Sequence, residues 1–219
     1  KYSRFWENLF PYLRELTDVV ASYDDRIMIF EDYPDGNYGT QEQYLGFYGV
    51  NPDVSMPFNF EGLSAKFSAE SFSTMVNEFQ GMINPDIHTP VYCFSNHDQA
   101  RIATRYGGTE QARLGALMQL TLPGLPVVYY GDEIGMMNAP IRFDEIQDKS
   151  VFSHGNDESV GRDPERTPMQ WTGEKNAGFS QAKPWLPVDP ISKKVNVDVE
   201  QHDPDSFFAL YQRLLKLRS

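Results

Sequence analysis

The chain has 219 residues, 40% of them hydrophobic and 23% charged, the balance of an ordinary globular protein with room for one large domain or two small ones. A formal charge of −12 with no Lys/Arg cluster argues against nucleic acid as a partner, and no apolar run approaches the ~18 residues of a membrane span. One cysteine excludes an internal disulfide framework and a thiolate zinc cage; His88, His97, His154 and His202 are scattered without ligand spacing, so no metal and no cofactor are expected.

Phe5, Leu9, Leu13, Leu16 and Val20 recur at helical spacing and predict a helix over residues 2–22. "RIMIF" (26–30) suits a buried parallel strand and ends on Glu31, before the turn-rich "DYPDGNYGT" (32–40). "SMPFNF" (55–60) reads as a second strand. Phe72, Met75, Val76 and Phe79 mark an amphipathic helix that "NPD" closes from Asn84. "TPVYCFS" (89–95) is the third strand. Leu114, Leu117 and Met118 lie on the next helix, with Thr109 as N-cap and Gly124 as C′ residue, and "LPVVYYG" (125–131) is the fourth strand. A Gly/Pro/Asp-rich stretch over residues 132–190 shows little periodicity, yet Met136, Phe143, Phe152, Trp171, Phe179 and Trp185 argue against disorder. Phe207, Leu210, Leu214 and Leu217 predict a final helix.

Strand–helix alternation of this kind is the rhythm of a parallel α/β fold. A closed (β/α)₈ TIM barrel needs eight strands and ~250 residues, so four strands predict the second half of one. The chain opens on Lys1 inside a predicted helix with no signal-peptide pattern; the true N-terminus is expected upstream, and the compartment is not legible. Aromatic residues make up 14%, which fits a large core and, as a second reading, an aromatic-walled cleft for a ligand with apolar faces and polar edges, such as a sugar.

In such folds the reacting groups sit where strands end. Three strand ends carry polar groups: Glu31, then Asn96-His97-Asp98, then Asp132-Glu133. Two carboxyls converging on one pocket are the equipment of glycoside hydrolysis, one donating a proton to the leaving oxygen while another stays ionised. Position alone leaves two plainer readings open: a solvated loop acid for Glu31, and a hydrogen-bonded strand cap for His97 and Asp98.

"FSNHDQ", then "GLPVVYYGDEIGM", then "GRDPERTPMQW…NAGFS…PWLPV" appear in that order, and together they closely resemble the α-amylase superfamily of glycoside hydrolases (family 13). The nearest branch is that of the α-glucosidases, maltases and oligo-1,6-glucosidases, and the resemblance covers essentially the whole chain. It implies one partial catalytic domain over residues 1–219, holding about strands 5–8 of the barrel, with 132–190 as the long loop after the eighth strand. It makes Glu31 the general acid/base, Asp98 the carboxylate that stabilises the transition state, His97 a hydroxyl donor beside it, and Arg162 the arginine of the glucose pocket in preference to Arg166. Asp132 and Glu133 are then structural, and "RTPMQW" packs the loop.

The departures matter too. The family's nucleophile, an Asp in an Arg-x-Asp segment at the end of the fourth strand, is absent, as are the first half of the barrel and the trailing β-domain. Asp32 directly follows Glu31: strand alternation points it away, while a turn there would bring it close enough to raise the acid's pKa. The resemblance implies that the intact protein is a retaining α-glucosidase acting on short oligosaccharides. These residues alone are expected to be inactive, and to need the missing half of the barrel or self-association to cover their open edges. Two alternatives stand beside it: a sucrose-isomerising or transglycosylating relative, and a non-catalytic transporter heavy-chain ectodomain.

Overall fold

Short apolar runs separated by helices do form parallel strands, in a computed structural model that describes residues 8–31 and 41–219. Residues 1–7, with the first six of the predicted first helix, and the loop 32–40, with the two readings of Asp32, lie outside the described residues. The chain divides into two units, one holding the described residues up to Phe94 together with Leu122–Val127, the other Ser95–Thr121 together with Val128–Ser219.

In the first unit, α1 (Leu9–Ala21) sets Phe10 edge-on against Phe47 with ring centroids 5.3 Å apart. Arg14 on the same face donates to the carbonyls of Gly49 and Val50. This contact rotates the helix away from the predicted stripe: Leu16 is exposed and Thr17 is buried. Strand β1 (Met28–Phe30) pairs in parallel with β2 (Ser55–Pro57), and Phe58 N–H donates to the carbonyl of Phe30. Between them lies α2 (Gln41–Gly49), which the sequence reading did not predict. It is short and has two glycines, and it forms because Tyr44, Phe47 and Tyr48, at i, i+3 and i+4, enter the core, where the Tyr48 hydroxyl donates to the carbonyl of Thr89 at 2.9 Å.

The second predicted strand stops at Pro57 rather than Phe60. Asn59 instead donates its backbone N–H to Val91 and, through its side chain, accepts from Glu61 N–H, opening the short helix α3 (Glu61–Ser64). Helix α4 (Ala69–Met82) follows the predicted pattern, burying Met75 and Phe79, with the Ser68 hydroxyl as N-cap. Strand β3 (Val91–Cys93) is fully buried and runs parallel to β4 (Leu125–Val127). Gly124 serves this pairing rather than a helix end: at φ +115° any Cβ would lie 2.4 Å from the carbonyl oxygen of Pro90.

The second unit contains α5 (Ile102–Arg105), α6 (Thr109–Thr121), α7 (Lys149–Ser153), α8 (Val197–Glu200) and α9 (Phe207–Arg218). Thr109 is the first residue of α6 rather than its cap. α9 packs against α6, as the Phe207/Leu210/Leu214 spacing requires. The long stretch 132–190 holds only short helical turns, but its Ile134, Met136 and Met169 form a core with Val197 and Phe208 against them. Hydrophobic burial therefore organises it where periodicity does not.

Candidate functional site

Past β3 the chain turns sharply. Asn96 accepts the backbone N–H of Asp98 at 2.9 Å, and Ser95 accepts that of Ile102 at 3.1 Å. This local hydrogen bonding replaces the strand ladder and lifts His97 and Asp98 out of the interior. His97 is mostly exposed; its Nε2 lies 3.5 Å from Asp98 Oδ2.

The other carboxylate oxygen of Asp98 meets two guanidinium groups. Arg162 Nη1 donates to Oδ1 at 2.8 Å and Arg166 Nη2 to the same atom at 2.7 Å, while Arg166 Nε donates to the carbonyl of His97. The sequence reading preferred Arg162; the geometry brings in both. Arg162 is itself gripped from its far side. Asp148 Oδ2 accepts from its Nε at 2.8 Å and from its backbone N–H at 3.1 Å. These charge-assisted bonds, with the backbone amide of Ser150, hold the Asp148 carboxyl well below the usual carboxylate range and push the Arg162 guanidinium up. Asp163 then accepts the backbone N–H groups of Gln147 and Asp148 at 2.6 and 2.9 Å, so the two ends of the 148–162 segment clasp each other.

A second set of charges is buried. Arg101, fully inaccessible, donates to the carbonyls of Tyr130 and Glu165 at 2.6 and 2.9 Å, and its guanidinium lies 4.9 and 4.7 Å from the ring centroids of Tyr129 and Tyr130. Capture of the Tyr130 carbonyl accompanies the end of the fourth strand at Val127, four residues short of prediction. Asn138 ties the same group together, accepting from Arg101 N–H and donating to the Glu165 carboxylate at 3.0 Å. Burial pushes both Glu165 and Asp132 up to about 7. Asp132 is buried, and Glu133 accepts Gly131 N–H.

Glu31 belongs to the first unit, where it directly follows β1 and is exposed. The second unit gathers His97, Asp98 and Arg162. Beside them, a cavity of about 430 Å³ is lined by Tyr130, Glu133, Arg166, Trp171, Phe179 and Trp185, so an aromatic-walled cleft with polar edges exists in the irregular stretch. The sequence reading missed Arg101 and Asp148. Arg101 had a faint signal, an arginine between Ala100 and Ile102 just after "NHDQ". Asp148 had none. Among the described residues no three His, Cys, Asp or Glu side chains are grouped as metal ligands would be, and no helix is long and apolar enough to cross a membrane.

Chemically, the partly exposed carboxylate of Asp98 offers one oxygen fixed by two arginines and one beside an imidazole. That arrangement accepts hydroxyl hydrogen bonds and favours positive charge in front of it.

Comparison with known proteins bears on whose chemistry this is. The family model "Alpha amylase, catalytic domain" matches residues 7–219. Maltase 1 of Drosophila virilis is 38% identical over 96% of this chain and 34% of the maltase, and probable oligo-1,6-glucosidase 2 of Bacillus subtilis is 31% identical over 97% of this chain and 43% of that protein. Among solved structures, an α-glucosyl transfer enzyme superposes with a TM-score of 0.84 at 28% identity, over 95% of this chain and 38% of that one. Trehalulose synthase from Pseudomonas mesoacidophila gives 0.81 at 25% identity, over 96% and 43%. The chain thus spans between about a third and less than half of these relatives' lengths. It belongs to the α-amylase family of glycoside hydrolases, in the α-glucosidase branch, and represents part of the family's (β/α)₈ catalytic domain.

Proposed function

We propose that the full-length protein is a retaining α-glucosidase that releases glucose from short α-linked saccharides. In this reading residues 1–219 form one partial catalytic domain holding strands 5–8 of the barrel, with 132–190 as the loop after the eighth. Glu31 protonates the leaving oxygen. Asp98 stabilises the oxocarbenium-like transition state and grips sugar hydroxyls, with His97 as a hydroxyl donor and Arg162 at the base of the pocket. The nucleophile comes from outside these residues, because no carboxylate in them stands in the family's nucleophile position. The observation that carries the reading is Asp98 itself: a half-exposed carboxylate, oriented by Arg162 and Arg166, with an imidazole at its free oxygen.

Glu31→Gln in the full-length protein tests it. Turnover should fall by about 10²–10⁴-fold, the range of general acid/base catalysis, while sugar binding survives. The loss should be smallest for aryl glucosides, whose leaving group needs little protonation. Equal losses for good and poor leaving groups would remove Glu31 from the role.

A second reading rests on the likeness to trehalulose synthase and to an α-glucosyl transfer enzyme. The same residues serve hydrolysis and glucosyl transfer, and the outcome depends on whether water or a sugar hydroxyl reaches the intermediate. Product analysis with maltose, isomaltose and sucrose decides: free glucose alone supports hydrolysis, and isomerised or lengthened saccharides support transfer.

A further inference from the structure

The charges around Asp98 do not balance without Asp148. Asp98 contributes one negative charge, and Arg162 and Arg166, both bonded to its Oδ1, contribute two positive ones. Left so, the cluster would present net positive charge to a transition state that is itself cationic. Of the nearby acids, Asp163 is turned to the backbone amides of Gln147 and Asp148, and Glu165 is pushed toward its neutral form by burial. Among the described residues, Asp148 is the acid that bonds the Arg162 guanidinium besides Asp98, from the edge opposite the Asp98 contact. Its carboxylate is nearly inaccessible, so little solvent screens it.

We propose that Asp148 is a positioning and charge-balancing residue: it fixes the Arg162 fork with Nη1 on Asp98 and cancels one arginine charge, so that the cluster facing the sugar is neutral rather than cationic. The proposal rests on the role given to Asp98 above. It assigns Asp148 no contact with substrate. Its effect should therefore depend on the charge of the bound ligand, which a merely structural role would not produce.

The test compares a basic imino sugar, protonated at the assay pH, with neutral glucose as inhibitors of the full-length protein. Asp148→Asn keeps the shape and one acceptor oxygen, enough for Arg162 Nε or for Ser150 N–H but not for both, while removing the charge. Imino-sugar affinity should fall roughly tenfold and glucose affinity by less than about threefold, the scale of one unit charge about 10 Å away at an effective dielectric near 20. Asp148→Glu, which keeps the charge on a longer stem, should weaken both ligands together and retain the preference for the cation; this arm stands even if the Asn variant fails to fold. Equal losses for both ligands in Asp148→Asn, no loss in either, or loss of the cation preference in Asp148→Glu would overturn the proposal. Wild-type protein that binds neither ligand would instead overturn the α-glucosidase reading, and the proposal with it.

Discussion

Asp148 and Asp132 are both nearly inaccessible carboxylates near an arginine in the second unit, yet their acidities move in opposite directions. Asp148 accepts bonds from the Arg162 side chain and from two backbone amides, and these outweigh its desolvation. Asp132 also has Arg101 close by, and burial still wins, taking it up to about 7. Depth comes first: desolvation is the largest influence on Asp132 and only the second on Asp148, and where each guanidinium spends its donors adds to the difference. Arg162 gives its N–H groups to carboxylates. Arg101 gives two of its own to the carbonyls of Tyr130 and Glu165 and attracts Asp132 through space; a hydrogen bond from Ser95 also favours the Asp132 carboxylate, and together they do not offset its burial. Desolvation on one side and charge-assisted hydrogen bonds on the other separate a charged rim from a buried base whose acids are poised near neutrality.

The contrast has a sign in pH. Asp148, with its folded pKa depressed, stabilises the fold above the ordinary carboxylate range, and that contribution is lost only as pH falls well below it. Asp132 and Glu165, with folded pKa values raised to about 7, contribute most at low pH, and their contribution is lost as pH rises toward and through 7.

The largest effect should come from the rim. Asp98→Asn in the full-length protein should lower turnover by roughly 10²–10³-fold, the scale of losing one electrostatic stabiliser, with little change in melting temperature. A variant that melts far earlier but turns over normally would make Asp98 structural. In the base the balance should reverse. Arg101→Met leaves two buried carbonyls without their donor and Asp132 without its nearby cation, so urea denaturation should show a loss of about 3–5 kcal/mol. A loss under about 1 kcal/mol would mean that the base is not what holds these loops together.

A smaller effect sharpens the pH contrast. Glu165→Gln imitates the protonated acid, so its stability should match wild type near pH 5 and exceed it near pH 8. Parallel stability curves from pH 5 to 8 would show that Glu165 does not titrate there. The smallest effect belongs to Arg142, whose ion pairs with Asp144 and Glu145 are exposed. Arg142→Ala should change neither melting temperature nor turnover measurably, because solvent screens such pairs.

Much of the fold was legible in the sequence for simple reasons. The strands at Met28–Phe30, Val91–Cys93 and Leu125–Val127 are apolar runs, and α4, α6 and α9 carry apolar residues at helical spacing or clear boundary residues. Helix α2 was missed although Tyr44, Phe47 and Tyr48 stand at helical spacing, because the segment is only nine residues long, holds two glycines and follows a turn-rich stretch. Of the site, the motif "NHD" and the arginines of "RDPER" pointed to Asp98, His97 and Arg162, since strand-end polar groups and family motifs are local features. Asp148 and Arg101 were missed for the opposite reason: Asp148 acts on a residue 14 positions away, and Arg101 on carbonyls 29 and 64 positions away.

By itself, the sequence determined which segments are strands and helices where apolar periodicity is strong, which residues carry carboxylate, imidazole and guanidinium groups, and which family's motifs they spell. The tertiary structure alone decided that Arg162 and Arg166 share one oxygen of Asp98, that Asp148 holds Arg162 from behind, and that Asp132 and Glu165 are pushed toward neutrality while Asp148 is not. The physical reason is that desolvation and hydrogen-bond direction depend on what surrounds a side chain in space, and neither is encoded in the spacing of residues along the chain.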